Sequence, residues 1–140
     1  MVVELNSAPE VLPLPSAGKR ATASSEKEGT SAKNLFNGNP KDKWQPTAED
    51  KDKWVEVDLG EETAIGAFSI VEPWHPWDNK GQKIEIQFKS GDKWAVAFAV
   101  TTNGTGHTAS FKPVSARYFR LKIVEAKDPT LNEWILFRAD

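Results

Sequence analysis

The sequence predicts an all-β fold, an antiparallel jelly-roll β-sandwich of about eight strands. Short segments rich in β-branched and aromatic residues recur at regular intervals, several of them alternate apolar and polar residues, and Gly-, Asn- or Pro-containing turns separate them. No segment has the periodicity of a long helix. The predicted strands are 20–25, 53–59, 63–71, 82–90, 94–101, 108–111, 118–124 and 133–137, and residues 31–35 could form one helical turn.

The composition limits the classes of protein to which this chain can belong. Its 140 residues suffice for one domain with a sizeable core, and a net charge of −2 with mixed signs does not favour a nucleic-acid-binding surface. The absence of Cys excludes disulfides, a thiolate nucleophile and a Cys-based metal site. No apolar run reaches the roughly 18 residues of a membrane span, and the first residues lack the features of a signal peptide.

Residues 1–18 differ from the rest of the chain, because Pro9, Pro13 and Pro15 are spaced through short apolar pieces. Closely spaced Pro disfavours a helix and favours extended backbone. We therefore expect residues 1–18 to be a linker or lead-in from a preceding domain and residues 19–140 to form the β-sandwich.

After the first predicted strand comes the least regular stretch of the chain, 34–44. It holds three Asn, one Asp, one Gly and one Pro between apolar anchors. Such side chains compete with the backbone for hydrogen bonds, so the stretch predicts a tight, structured loop. Two interpretations are open: the loop is a solvated turn, or the side-chain oxygens of Asn37, Asn39 and Asp42 converge on a hard cation such as Ca²⁺.

The central segments carry the clearest strand patterns. In 53–59, Val55, Val57 and Leu59 alternate with residues that are mostly polar, as in a half-buried strand. Segment 63–71 is apolar on both faces for much of its length, which predicts a strand that is covered on both sides. Turns are predicted at Gly60, Gly91-Asp92 and Asn103-Gly104.

The loop 72–81 interrupts this pattern with two Pro and contains two Trp that no strand requires. An aromatic ring among polar neighbours suits sugar recognition, because the C–H face of a pyranose stacks on the ring while directed hydrogen bonds hold its hydroxyls. The alternative is that one ring folds back and caps the end of the sandwich. The candidate ligand-binding residues are Glu72, Trp74, His75, Trp77, Asp78 and Asn79. We expect Glu72 to orient the loop by accepting backbone hydrogen bonds and His75 to donate a hydrogen bond.

The other aromatic and charged residues have structural interpretations. Four Trp lie in or beside predicted strands, and we expect them to pack in the core or at its edge; they are Trp44, Trp54, Trp94 and Trp134. Arg117 and Arg120 should form ion pairs, His107 should be a surface residue, and Lys43 with residues 49–52 should form a solvated rim. Asn103-Gly104-Thr105 matches an N-glycosylation sequon, although a turn also explains it.

No arrangement in the sequence predicts catalysis. There is no Cys, the two His are isolated, and the acidic residues are spread over strand faces and loops. A nucleophile–base pair or a pair of facing carboxylates is therefore not indicated, and we expect a domain that is not an enzyme by itself.

Several stretches resemble the discoidin or coagulation-factor type C domain, which is galactose-binding-like in fold. They are residues 21–25 (ATASS), 32–39 (AKNLFNGN) with Trp44, 54–60 (WVEVDLG), 116–121 (ARYFRL) and 131–134 (LNEW). The match covers roughly residues 19–138. The resemblance implies a jelly roll whose relatives bind galactosides, other glycans, phospholipids or proteins.

The resemblance also implies a structural Ca²⁺ beside the ligand-binding end. Carried over by position, its ligands would be the carbonyl of Asn34, the side chains of Asn37 and Asn39, Asp42 through backbone and side chain, the carbonyl of Asn132 and the carboxylate of Glu133. The chain departs from the family at two of these positions. Asn37 stands where Asp is common, and Asp42 stands where Thr or Ser is common, so one charge is lost and one is restored.

The function implied is that of a carbohydrate-binding module attached to a secreted bacterial glycoside hydrolase, such as a chitobiase (hexosaminidase) or fucosidase. Its expected partners are galactose- or N-acetylhexosamine-type glycans and the catalytic domain of the same polypeptide, and we expect a monomer that is secreted, periplasmic or on the cell surface. One alternative is an interdomain packing module without ligand affinity. Another is a phospholipid-binding domain, which would need more flanking basic residues than Lys80 and Lys83.

Overall fold

The computed structural model describes residues 14–73 and 81–139. Its elements are β1 (Arg20–Ala23), a 3-10 helix (Ala32–Phe36), β2 (Trp54–Val71), β3 (Lys83–Ser90), β4 (Lys93–Thr101), β5 (Gly106–Glu125) and β6 (Glu133–Arg138). None of the helical structure within these ranges is long and apolar enough to cross a membrane.

All strand pairs are antiparallel, so the predicted all-β sandwich is confirmed. The strand order is β1-β2-β5-β3-β4, and β6 pairs with β2 outside this path. β1 pairs with residues 55–58 of β2, whereas β6 pairs with its second half, residues 65–71. The long β2–β5 ribbon therefore supplies both layers of the sandwich, and counting its two halves separately restores the predicted number of strands.

Two strand boundaries were predicted incorrectly. The segments 53–59 and 63–71 form one strand, β2, and the segments 108–111 and 118–124 form one strand, β5. The predicted turn at Gly60 is present as a glycine with φ of +88° beside a register shift between Asp58 and Thr63. The ladder resumes beyond this irregularity, because both strands bend together instead of ending there.

The core lies between the two layers and is built from the predicted inward-facing residues. Val55, Val57 and Leu59 are buried, as the alternation indicated. Trp44 and Trp134 are fully buried, and the ring of Trp134 lies 5.6 Å from that of Phe36. Burial of each such large apolar side chain contributes about 1.5–3 kcal/mol to the stability of the fold. Trp44 therefore holds the 34–44 loop, and Trp134 holds β6, against the sandwich.

The sheet surface around Arg120 carries the other two Trp of the expected structural set. Trp54 and Trp94 are half-buried, and the guanidinium of Arg120 lies 3.9 Å from one ring centre and 4.2 Å from the other. Arg120 also pairs with Glu56 at 2.9 Å. Both Trp therefore pack on a charged side chain at the sheet surface, outside the buried core.

The second predicted ion pair joins Arg117 to Asp58. Two nitrogens of the guanidinium donate to the two carboxylate oxygens at 2.7 and 3.0 Å. This hydrogen bonding with Arg117 holds the pKa of Asp58 below its ordinary value. The expected structural role of both arginines is confirmed.

Part of the predicted lead-in packs on the domain. The hydroxyl of Ser16, which is 1% exposed, accepts a hydrogen bond from the backbone N–H of Leu136 at 3.0 Å, and Gly18 N–H donates to the carbonyl of Phe36. Residues 1–13 lie outside the described ranges. The division of the chain at residue 18 stays a prediction.

Candidate functional site

A cleft of about 610 Å³ opens between three loops at one end of the sandwich. Its walls are residues 27–28, 45–50, 53 and 126–129. Four acidic and three basic side chains line it together with polar groups, and none of these residues is aromatic. The cleft can therefore supply directed hydrogen bonds, whereas any stacking surface would have to come from a neighbouring loop.

A hydrogen-bonded clasp built on Asp50 holds one wall of this cleft. Its Oδ2 accepts hydrogen bonds from the hydroxyls of Ser24 and Ser25, each at 2.5 Å, and its Oδ1 accepts one from the N–H of Asp52. The Ser25 hydroxyl also accepts a hydrogen bond from Thr47 N–H at 2.9 Å. The prediction of a merely solvated rim at 49–52 was wrong for Asp50. Its two hydroxyl donors, Ser24 and Ser25, lie in a distant segment that sequence reasoning did not place beside it.

The electrostatics of Asp50 follow from this geometry. Burial alone would raise its pKa, but the hydrogen bonds from Ser24, Ser25 and Asp52, with the nearby charge of Lys53, outweigh burial and lower the pKa. The ionised form is thus the one that the clasp favours.

We expect Asp50→Asn to reduce the free energy of unfolding at pH 7 by about 1 kcal/mol, because a carboxamide offers one acceptor oxygen where the carboxylate offers two. A lowered folded-state pKa stabilises the fold above the unfolded-state pKa, and this contribution is lost as pH falls through the folded-state value. The difference between the variant and the wild type should therefore shrink in acid. Urea unfolding at pH 7 and pH 3 measures it.

Asp52→Asn is the matched control, since Asp52 forms an exposed pair with Lys122 at 3.1 Å and such pairs contribute little. Equal losses of stability in both variants would contradict the role assigned to Asp50.

Glu72 is buried at the end of β2, where the predicted ligand-binding loop begins. It is 4% exposed, and its Oε2 accepts hydrogen bonds from Gln82 Nε2 at 2.7 Å and from the Thr102 hydroxyl at 2.8 Å. The expected backbone donors are therefore replaced by two side chains from other strand ends. Oε1 has no hydrogen-bond partner among the residues that the structure describes.

The other predicted ligand-binding residues lie outside the described residues; they are Trp74, His75, Trp77, Asp78 and Asn79. The two stems of their loop, Glu72 and Gln82, are joined directly to one another. Sequence reasoning missed Gln82 and Thr102 as hydrogen-bond partners of Glu72, and Thr130 as the partner of Gln82. Single polar residues near strand ends gave no signal that could have found them.

The predicted cation loop is folded by its own side chains. Asn37 Nδ2 donates to Asp42 Oδ2 at 2.7 Å, Asn39 N–H donates to Asn37 Oδ1 at 2.8 Å, and Asn34 Nδ2 donates to the Lys43 carbonyl at 2.9 Å. The second predicted segment reaches the same loop, because Asn132 Nδ2 donates to the carbonyl of Pro40 at 2.7 Å. The structure thus brings both predicted segments together.

Two oxygen atoms in this region have no hydrogen-bond partner within the described ranges although they are buried. They are Oδ1 of Asn132 and Oε1 of Glu133, a residue that is only 5% exposed. Burial, and then the charge of Asp42, raise the pKa of Glu133. No three His, Cys, Asp or Glu side chains converge in the part of the chain that the structure describes, so amide and carbonyl oxygens would have to complete a site. The two carboxylates, Asp42 and Glu133, whose charges interact, and the unpartnered amide oxygen of Asn132 fit a hard cation such as Ca²⁺.

His107 is not the surface residue that was predicted. It is half-buried, with its ring 6.1 Å from that of Phe68 and 6.5 Å from that of Phe98. The physical reason is that β5 begins at Gly106, before the predicted start at residue 108, so His107 already belongs to the ladder. The turn at Asn103 is present, since its Oδ1 accepts a hydrogen bond from Thr105 N–H at 3.0 Å.

The sequence model of the F5/8 type C domain matches residues 20–137. The chain belongs to this family. No curated protein matches this F5/8 type C domain significantly.

Solved structures similar to this F5/8 type C domain include three that are below 25% identity and therefore show the fold alone. SpGH29 is 18% identical with a TM-score of 0.79; the match covers 91% of this chain but 28% of that one. The family 32 CBM from C. perfringens NanJ, solved in complex with galactose, is 20% identical with a TM-score of 0.75 and coverages of 88% and 96%. A mutant of chitosan-binding module 1 from the Paenibacillus sp. IK-5 chitosanase/glucanase is 21% identical with a TM-score of 0.75 and coverages of 89% and 97%.

Proposed function

We propose that this F5/8 type C domain is a non-catalytic carbohydrate-binding module. The observation that carries the proposal is the cleft at the end of the sandwich, which is lined by polar groups. Hydrogen bonds from Gln45 through Thr130 and Gln82 connect it to Glu72, where the predicted loop 72–81 begins. Two of the similar structures are named as a chitosan-binding module and a family 32 CBM, which supports the same class of ligand.

In the proposed complex, the cleft and the loop have different tasks. Groups such as Gln45 and Thr47 in the cleft would hold sugar hydroxyls by directed hydrogen bonds, while Trp74 or Trp77 would stack on the C–H face of the ring. The expected ligands are galactose- or N-acetylhexosamine-type glycans.

The domain would serve a catalytic domain of the same polypeptide, such as a chitobiase (hexosaminidase) or fucosidase, in a secreted, periplasmic or cell-surface protein of bacteria. SpGH29 supports such an arrangement, because this chain corresponds to 28% of its length. Weak binding to the glycan would then raise the local concentration of substrate around the enzyme without contributing any chemistry.

We also propose that the fold holds a structural Ca²⁺ near Asn34, Asn37, Asn39, Asp42, Asn132 and Glu133. The ion would neutralise the charges of Asp42 and Glu133 and join the chain segments at either end of the domain. The side chains of Asn37 and Asn39 shape the loop in advance by accepting backbone hydrogen bonds.

Titration with galactose, N-acetylglucosamine, N-acetylgalactosamine and fucose tests the carbohydrate proposal, with Trp fluorescence and NMR as readouts. We expect at least one sugar to give saturable shifts with a Kd of roughly 1 mM, and Trp74→Ala with Trp77→Ala to weaken binding about tenfold or more, which is about 1.4 kcal/mol per tenfold. Trp94→Ala is the control, because Trp94 lies at the sheet surface beside Arg120.

Absence of any shift at millimolar sugar would refute the carbohydrate proposal. Co-sedimentation with anionic liposomes would then favour the phospholipid-binding alternative. Destabilisation of the full-length protein by the double Trp variant, without any change in glycan affinity, would favour interdomain packing.

A further inference from the structure

A buried network of polar side chains connects Glu72 and Gln82, which flank residues 74–80, to the cleft. Its members are Glu72, Gln82, Thr102 and Thr130, which are between 4% and 6% exposed. They come from the end of β2, the start of β3, the end of β4 and the segment before β6. Apart from Glu72 Oε1, the polar side-chain groups of this network are hydrogen-bonded within the described ranges. Such a network fixes a single arrangement, because each broken hydrogen bond would leave a desolvated partner.

Gln82 is the centre of the network. Its side-chain amide pairs with the peptide groups of Thr130, with Nε2 donating to the carbonyl at 2.9 Å and Oε1 accepting from the N–H at 3.2 Å. The other N–H of Nε2 is directed to Glu72 Oε2 at 2.7 Å. Because both N–H groups and the carbonyl are used, the orientation of the Gln82 amide is fixed, and it positions the backbone of Thr130 in turn.

Gln82 is itself fixed to Thr102. The Thr102 hydroxyl accepts a hydrogen bond from Gln82 N–H at 2.8 Å and donates one to Glu72 Oε2 at 2.8 Å, and Thr102 N–H donates to the Gln82 carbonyl at 2.9 Å. The ends of three strands are therefore connected by side chains in addition to the sheet ladder.

The network ends at Gln45 in the wall of the cleft. Gln45 Nε2 donates to the hydroxyl of Thr130 at 2.9 Å. The backbone of Gln45 is held on both sides, since its N–H donates to the Thr30 hydroxyl at 3.1 Å and its carbonyl accepts from Lys27 N–H at 2.8 Å. Among the residues that the structure describes, none donates a hydrogen bond to Gln45 Oε1. Within the described ranges, this half-buried amide therefore has a fixed nitrogen and an oxygen with no donor in the wall of the cleft.

We propose that Gln45 is a specificity-determining residue of the glycan site, with its Oε1 accepting a hydrogen bond from a sugar hydroxyl. Thr130 and Gln82 are its positioning residues, because they act on the ligand only through the orientation of the Gln45 amide. This inference rests on the proposed carbohydrate-binding function. A neutral acceptor held in one orientation favours a ligand with a hydroxyl at the matching place and rejects an analogue that lacks it.

A double-mutant cycle tests the proposal on the whole chain, with the sugar that gives the tightest binding in the panel above. Gln45→Met removes the acceptor at nearly constant volume, and we expect about tenfold weaker binding. Thr130→Val removes the hydroxyl that holds Nε2 but keeps the shape and the backbone bonds of Thr130, and we expect about three- to fivefold weaker binding. The two changes together should weaken binding no more than Gln45→Met alone. Once the Gln45 amide is gone, the Thr130 hydroxyl has no group left to orient, so its loss should cost no further affinity.

Ser16→Ala is the matched control for a purely structural loss. It removes one buried hydroxyl and its hydrogen bond with Leu136 N–H, so it should lower the thermal stability while leaving glycan affinity unchanged. Unchanged affinity of Gln45→Met would overturn the role of Gln45. Effects of Gln45→Met and Thr130→Val that multiply fully would overturn the positioning role of Thr130.

NMR of the sugar-free protein separates this inference from the proposed function. One of the two side-chain NH₂ resonances of Gln45 should have a small temperature coefficient, because one N–H donates to the Thr130 hydroxyl, and Thr130→Val should raise that coefficient to the value of exposed glutamines. If no sugar binds, the ligand contact fails together with the proposed function. If the Gln45 resonances are those of a free side chain in the wild type, the positioning network fails whatever the ligand is.

Discussion

We expect Ca²⁺ to raise the free energy of unfolding of this domain by about 3 kcal/mol when its concentration is about a hundred times Kd. The physical reason is the pair of carboxylates, Asp42 and Glu133. Burial and the charge of Asp42 both disfavour ionisation of Glu133, and its Oε1 has no hydrogen-bond partner within the described ranges. A Ca²⁺ ion held by both carboxylates would offset the repulsion by Asp42 and supply a partner for Glu133 Oε1, and it would do so in the folded state only. Urea unfolding in Ca²⁺ and in EDTA measures the effect.

Two variants separate a specific site from a general effect of the salt. Asp42→Asn and Glu133→Gln each remove one ligand charge, so both should abolish most of the stabilisation by Ca²⁺. In EDTA, Glu133→Gln should be at least as stable as the wild type, because it removes a buried carboxylate whose ionisation is disfavoured. Mg²⁺ at the same concentration is the control ion, since it requires a smaller and more regular site. Equal stability in Ca²⁺ and EDTA would exclude the structural ion.

The sequence was most informative where its chemistry is dense and contiguous. Alternation predicted the buried faces of the strands, and the loop 34–44 carried enough oxygen-bearing side chains to predict its unusual conformation. Asn132 was placed beside that loop by family resemblance alone, and the structure shows its amide bonded to Pro40 across 92 positions. Periodicity could not have shown this contact, because it reports which face a residue occupies and says nothing of the partner that lies opposite.

The bends in β2 and β5 and the buried network also depend on partners that are distant in the sequence, so they were not predictable. Gly60 indicates an interruption, but whether the ladder resumes depends on the partner strand bending at the same place. Gln82 and Thr130 are 48 positions apart, and each is one polar residue in the segment before a strand, where no pattern distinguishes a buried hydrogen-bonding group from an exposed one. Asp50 shows the same difficulty, because its two serine donors lie 26 and 25 positions away along the chain.

The second large effect is expected at Gly81, the last residue of the predicted loop 72–81, just before β3. A Cβ atom at this position would lie 1.9 Å from the carbonyl oxygen of Thr102 and 2.9 Å from its carbonyl carbon. Neither backbone can yield cheaply, because Gln82 and Thr102 are joined by the two hydrogen bonds that connect the start of β3 to the end of β4. We expect Gly81→Ala to lower the free energy of unfolding by about 3 kcal/mol, at the upper end of the usual cost of overpacking.

Gly91→Ala at the opposite end of the same hairpin is the control. Gly91 has φ of +64°, and a Cβ atom there would have nothing within 4 Å. Its substitution should therefore lower the free energy of unfolding only by the cost of placing Ala in the left-handed region, about 1 kcal/mol. Urea unfolding compares the two variants, and sugar titration under conditions where both are folded shows whether the cleft is affected.

The two variants should also differ in glycan affinity, because only one of them lies beside the buried network. If β3 and β4 separate at Gly81, Gln82 loses its fixed amide and Thr130 no longer orients Gln45, so Gly81→Ala should weaken glycan binding while Gly91→Ala should not. Equal stability and equal affinity of the two variants would mean that the strand ends adjust to the added methyl group. The network would then be too soft to position a ligand contact.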